Sequence, residues 1–374
     1  MRTWLLITAT LAAIIALLFT RPHATSGPPM RDFEAYYAAG ATWNAGANPY
    51  SQAIWSAEKH LPGVNAARYE ALPFVGPPVT LPFFGLFARM PFALANALWR
   101  ALLVIVIALY ALLVLRMAGR KVTAFSLLAV AVAAVGFAPC TSALALGQLA
   151  LPAAFLTVLA VVQPAAAFFA WIQPNIAIAL AGGLFSRRGF VTFAASSALF
   201  AGACIAVVGI RGFTQYAAVL DRHDVAERFI AIQITPAAVA YGFGAAPSVA
   251  AATAIVAALG AFCAWVLLMR RVPDALSRFC VTCALLPLVM PYFHEQDLAI
   301  VFVPAVIYAL RATARLMPLV LLAAMLVATD WLGLAQRPDG TLQTLLLAGA
   351  FGCVLVALHD RPQAGMMLTP LAVL

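Results

Sequence analysis

The sequence predicts an all-α polytopic integral membrane protein, and three observations carry that prediction. Hydrophobic residues make up 65% of the 374-residue chain and charged residues 9%, against roughly 45–50% and about 25% in soluble domains. About ten apolar runs reach the roughly 17–25 residues that a helix needs to cross a ~30 Å hydrocarbon core, with shorter, proline-interrupted pieces between them. These runs do not alternate polar and apolar residues, as the strands of a membrane barrel must.

The expected elements follow in chain order. Residues 3–20, behind Arg2, read as an uncleaved first span rather than a secretory leader, because the sequence after His23 is a poor export site. Residues 31–44 read as an amphipathic helix outside the membrane, preceded by Pro28 and Pro29, stopped near Gly46 and followed by an Asn48-Pro49 turn. Residues 73–90 contain Pro77, Pro78 and Pro82. They read as a re-entrant or interfacial piece, since broken backbone at membrane depth needs protein or a cavity around it. Further spans are expected at 92–115, 122–138, 146–163, 189–209, 247–269, 275–291, 297–310, 316–333 and 342–358. A short pair within 165–186, meeting at Gln173-Pro174-Asn175, brings the total to about twelve. The chain is expected to form one integral membrane domain over 1–374, with exterior loops at 21–91 and 211–246. Within the second loop, residues 211–233 carry mixed charge at helical spacing and read as an amphipathic helix lying on the surface.

Charge placement sets the expected topology. Arg116, Arg120 and Lys121, then Arg187 and Arg188, then Arg270, Arg271 and Arg278, then Arg311 and Arg315 all fall between apolar spans. With these clusters and both termini in the cytoplasm, that side holds 12 basic and two acidic residues, and the other side ten basic and eleven acidic. This is the bias of the positive-inside rule, and it points to a bacterial inner membrane with a periplasmic exterior. The net charge of +9 is thereby a matter of topology, and no nucleic-acid partner is expected. Cys280-x-x-Cys283 has no second ligand pair and reads as helix packing.

The residues suited to chemistry gather on the exterior side. Asp32, Tyr36, Gly40 and Trp43 share one helix face. Asp32, near the helix N-terminus, is expected to be held ionised by the macrodipole, as a proton acceptor or cation ligand. The alternative is a capping role, with Tyr36 and Tyr37 as interfacial aromatics. His294, Glu295 and Asp297 crowd the turn after Met290-Pro291; a hydrogen-bonding or substrate-contacting His294 is favoured there over a metal ligand. Gln148, Gln173, Asn175, Arg89 and Arg100 map to the same leaflet and suit a phosphate or sugar, although each alone also serves as contact between helices. No phosphate loop, nucleophile elbow or dinucleotide fingerprint is present.

Taken in order, Asp32-Phe33 with Tyr36-Tyr37, Gly46-x-Asn48-Pro49-Tyr50, Gly76-Pro77-Pro78, Trp99, Gly147-Gln148, and Gln173-Pro174 followed by Arg187-Arg188 resemble glycosyltransferase family 87 of the GT-C superfamily. The resemblance implies a membrane hexosyltransferase, mannosyltransferase-like, that draws its sugar from a polyprenyl-phosphate donor and needs no further cofactor. It implies Asp32 as general base for an inverting attack by a glycolipid or polysaccharide hydroxyl, with His294 beside it. Tyr36, Tyr37, Asn48, Tyr50, Gln148, Asn175 and Glu295 are then expected near substrate. The family usually has Lys where this chain has Gln173, which shifts the expected phosphate contact to Arg89, Arg100 or Arg211.

Two other classes fit the composition. A secondary transporter or flippase also uses broken helices, but the acidic residues here gather at one face instead of the midplane. A non-catalytic partner in envelope assembly predicts that Asp32 can be neutralised without consequence.

Overall fold

The computed structural model describes residues 30–62, 72–272, 274–311 and 337–359; the expected spans at 3–20 and 316–333, and Pro28 and Pro29, lie outside them. Among the described residues the fold is helical throughout, with no strand and one isolated antiparallel bridge, Gln233 to His294. Helix α1 spans Arg31–Asn44, the range its amphipathic spacing predicts. It is followed by α2 (Ala53–Glu58) and by a 3₁₀ turn, Pro78–Thr80, that leads into α3 (Leu81–Phe87). At 1.5 Å per residue the last two reach about 15 Å, half a hydrocarbon core. This proline-rich piece therefore packs beside α1 and does not cross.

Gly40 permits that packing. A Cβ there would lie 2.4 Å from the Phe84 backbone, so any larger residue forces α1 and α3 apart. The same face of α1 sends Phe33 against Trp99, stacked at 5.5 Å, and Tyr36 against Phe84 at 4.9 Å.

Helix α4 (Phe92–Met117) is followed by α5 (Ala124–Gly136) and α6 (Ala138–Leu146), which meet at a 77° bend. Pro139 sits in the first turn of α6, where its missing N–H costs nothing. Then come α7 (Ala150–Val162), the short α8 (Ala167–Ala170), and α9 (Pro174–Ala177) running into a 3₁₀ stretch, Ile178–Phe185. The expected broken pair at 165–186 is thus present as two short pieces meeting at Gln173. Helix α10 (Arg187–Glu227) is interrupted at Gly209, where φ is +72° and ψ 171°. It is followed by α11 (Pro236–Gly242), α12 (Pro247–Arg271), α13 (Ala275–Val289), a 3₁₀ turn (Glu295–Val301) opening into α14 (Phe302–Arg311), and α15 (Pro338–His359).

Four of these helices, α4, α10, α12 and α15, are long and apolar enough to cross a membrane, or five spans if α5 and α6 form one bent crossing. Among the described residues this count is below the number of apolar runs, and the expected spans at 3–20 and 316–333 lie outside them. The difference is physical: apolar content continues through Pro164, Pro174 and Pro291, whereas hydrogen-bonded helix does not. As a result α7, α13 and the α9 segment are helices of only 10–17 residues.

Membrane character is clearest in α12. Only 6% of its apolar window is buried inside the protein, and Ile255, Val256, Leu259, Phe262 and Leu267 are all exposed. A helix apolar on its outer face needs a lipid neighbour to cover it. The buried core runs instead through α4, α13 and α14, where the Tyr110 hydroxyl donates to the Ala299 carbonyl at 2.9 Å. Cys280 and Cys283 are buried and unbridged in α13, in the packing role their spacing predicts.

Candidate active site

The site begins at the end of α6. Gly147 takes the left-handed conformation, φ +73°, and the Gln148 N–H returns to the Ala143 carbonyl at 2.9 Å, a Schellman-type termination. The Trp99 indole N–H donates to the Gly147 carbonyl at 2.9 Å, and the Met30 N–H donates to the Ala145 carbonyl at 2.7 Å. The C-terminus of α6 and the N-terminus of α1 are therefore fastened together. This turn aims the Gln148 amide at Asp32: its N–H donates to the Asp32 carboxylate, and its carbonyl accepts from the Tyr36 hydroxyl at 3.3 Å.

A Cβ at Gly147 would lie 2.9 Å from that of Phe33, in a backbone conformation that costs an L-residue about 1–2 kcal/mol. Gly147→Ala is expected to destabilise the fold by about 1–3 kcal/mol. Chemical unfolding in detergent micelles, with an unchanged midpoint, is the result that contradicts this.

Asp32 is partly accessible, yet its carboxyl sits among buried groups. Burial, the largest influence, pushes it up to about 6, against the Gln148 hydrogen bond and the charges of His294 and Arg31. The net shift is opposite in direction to the stabilisation expected from the macrodipole, while a carboxyl at about 6 is still ionised at neutral pH. A dipole contribution of roughly 0.3–1 kcal/mol amounts to well under one pKa unit at 1.36 kcal/mol per unit, and desolvation exceeds it.

A second polar cluster faces the first. Glu227, at the end of α10, places one carboxylate oxygen 2.8 Å from the Tyr292 hydroxyl, 3.3 Å from the Gln233 amide nitrogen, 3.3 Å from His294 Nε2 and 3.5 Å from His223 Nε2. The Gln233 amide nitrogen also lies 3.1 Å from His294 Nε2, while its carbonyl accepts the Phe293 N–H at 3.0 Å. Burial works to raise the Glu227 carboxyl, but the His294 hydrogen bond, the charges of both histidines and the Tyr292 hydroxyl outweigh it and hold it below the usual value. His223 is lowered, chiefly by burial. Both residues lie beyond the Gly209 break, on the part of α10 that leaves the apolar segment.

Asp297 supports His294 from the other side. It accepts the His294 N–H at 3.0 Å, the Gln173 amide at 3.1 Å and the Asn175 amide at 3.4 Å. The tip of the broken pair thus holds the His294 turn in place. The charges of His294 and Glu227 both reach Asp32, so the two clusters form one electrostatic unit.

The expected site residues divide accordingly. Asp32, Tyr36, Gln148, His294, Gln173 and Asn175 are brought into the unit. Tyr37 donates to the Met90 carbonyl at 2.7 Å, Asn48 to Gln215 at 2.7 Å and Tyr50 to the Gly76 carbonyl at 2.8 Å; these bonds hold the first loop. Glu295 is fully buried and accepts from Ser142 at 3.2 Å, so it faces the interior of the protein. Arg89, Arg100 and Arg211 are exposed. Arg100 bonds Asn96 at 2.9 Å, and none of the three bonds to the unit.

The sequence places Glu227 only within the amphipathic surface helix expected at 211–233 and gives Gln233 and Tyr292 no site role. The structure adds that the inward edge of this helix, through Tyr216, Val219, His223 and Glu227, packs against the site. The one local signal was His223-x-x-x-Glu227, an i,i+4 pair. Among the described residues no group of three or more His, Cys, Asp or Glu is arranged to hold a metal ion. No protein-family model, curated protein or solved structure matches the chain.

Proposed function

We propose that this membrane protein is a GT-C-type glycosyltransferase, similar to glycosyltransferase family 87, that moves a hexosyl group, mannosyl in the first instance, from a polyprenyl-phosphate carrier to a hydroxyl acceptor. In this reading Asp32 removes the proton from the acceptor hydroxyl as its oxygen attacks the anomeric carbon. The bond from that carbon to the phosphate oxygen breaks with inversion, and the polyprenyl phosphate leaves as the anion. His294, held by Glu227 and Asp297, is assigned to the side of the departing phosphate, since the exposed arginines stand apart from the unit. The reading also places about twelve helices, some short or broken, in a bacterial inner membrane, with termini cytoplasmic and the site periplasmic.

The observation that carries the proposal is the Asp32 carboxylate fixed by the Gln148 amide, coupled by charge to His294 and raised by burial to about 6. A base near neutrality is stronger than an ordinary aspartate and is still deprotonated at working pH. A lipid phosphate is already a competent leaving group, so the reaction needs no nucleotide-binding domain. Gln148 supports the same role by fixing one carboxylate oxygen.

The test is transfer of labelled mannose from synthetic polyprenyl-phosphate mannose to an envelope-lipid extract by the purified full chain in proteoliposomes. Product formation supports the proposal. No product with any of several polyprenyl-phosphate sugars, together with movement of the intact lipid across the bilayer, overturns it in favour of a flippase.

A further inference from the structure

A cavity of about 480 Å³ lies beside the unit and takes no part in the step above. Its walls come from the first exterior loop, through Tyr50, Trp55 and Phe74, and from α10, through Val219, Arg222 and His223. The volume falls within the roughly 300–1,000 Å³ of small-molecule sites.

The walls are fixed before any ligand arrives. Asn48 ties the loop to α10 through Gln215 at 2.7 Å and accepts the Tyr50 N–H at 3.0 Å. The Tyr50 ring packs 5.5 Å from Phe74 and 5.2 Å from Tyr216, and its hydroxyl is spent on the Gly76 carbonyl. These residues of the wall lose little ordering entropy on binding.

The lining has two chemistries. The Trp55 indole is 42% exposed and offers a flat apolar face. Arg222 is exposed and, among the described residues, has no hydrogen bond or ion pair; the nearby Asp224 is engaged by Arg228 at 3.0 Å. A guanidinium without a carboxylate partner, set in a concave wall, is suited to a bidentate oxyanion. His223 closes the cavity toward the unit, since its Nε2 lies 3.5 Å from the Glu227 oxygen that also faces His294.

We infer that this cavity binds a sugar ring carrying an oxyanion, a carboxylate or a phosphate ester, with the ring on Trp55 and the anion on Arg222, and that it serves as the acceptor subsite. The last clause rests on the transferase reading; the binding itself does not. Such a ligand presents its remaining hydroxyls along the His223 wall, toward Asp32. A neutral sugar gains the aromatic face but leaves Arg222 unpaired.

The test is ligand-observed NMR titration of the full chain in nanodiscs with glucuronic acid, glucose 6-phosphate and glucose. At least one acidic sugar is expected to bind tenfold or more tightly than glucose, and the one that does identifies the oxyanion. Arg222→Gln, at an exposed position, is expected to remove that preference and Trp55→Ala to weaken all three. Equal binding of glucose and both acids, no binding of either acid, or an acid preference that survives Arg222→Gln overturns the inference. Acid-selective binding in a protein that transfers no sugar leaves the cavity a binding site and removes its role as acceptor subsite, so the two failures are distinct.

Discussion

Asp32→Asn is expected to lower the rate of sugar transfer by a factor of about 10²–10⁴, the range supplied by a positioned general base, with little change in donor affinity. The substitution keeps the shape of the side chain, and an amide at position 32 still meets the Gln148 amide, so loss of turnover reports on the proton acceptor and not on unfolding. The pH dependence gives the sharper reading. Burial holds the Asp32 carboxyl at about 6 against an ordinary 3.8, so the basic form is lost as pH falls through about 6. The transfer rate is expected to fall along an acid limb centred there, and the residual rate of the Asn variant should lack that limb. A wild-type profile flat between pH 5 and 8, or an Asn variant as fast as wild type, removes Asp32 as the base. In the second case the reading of a non-catalytic envelope partner stands in its place.

The parts of this site that depend on neighbours in the chain were legible in the sequence, and those that depend on distant contacts were not. Helix α1 follows from the spacing of Asp32, Tyr36, Gly40 and Trp43 along one face, and its bounds match the structure. Gly147-Gln148 could be recognised only as a pair in order. Its purpose appears once the left-handed Gly147 is seen to swing Gln148 onto a carboxylate from another helix. The direction of the Asp32 shift was not legible because a helix N-terminus is a local feature, while desolvation is set by how residues from the whole chain close around the carboxyl. Among the described residues, helices are shorter than the apolar runs for a related reason. Hydropathy sums over a window and passes through a proline, but a hydrogen-bond ladder stops at one. Glu227 carries no local pattern beyond its i,i+4 histidine, and on a charged helix such a pair normally reads as a solvated face.

That carboxylate is where the second large effect is expected. One oxygen of Glu227 lies within 3.5 Å of Tyr292, Gln233, His294 and His223, so the orientation of His294 depends on a group outside its own turn. Glu227→Gln keeps an acceptor for Tyr292 but removes the negative charge beside His294 and His223. Transfer is expected to fall about 10–100-fold, as when a group supporting a functional histidine is lost. Because the charge of Glu227 also works to raise the Asp32 carboxyl, the acid limb should move to lower pH in the variant. Glu227→Asp, which restores the charge at shorter reach, should recover part of the rate and return the limb toward the wild-type position. Stability follows the same charge. Glu227 is held below its ordinary 4.5 in the folded protein, so its contribution is complete above that value and lost as pH falls through the lower, folded one. The wild type should therefore lose more thermal stability than Glu227→Gln on acidification below about 4.5, measured by scanning calorimetry in detergent. A limb that stays in place, together with full activity in the Gln variant, would show that His294 keeps its position without Glu227 and that the α10 extension is only a wall of the site.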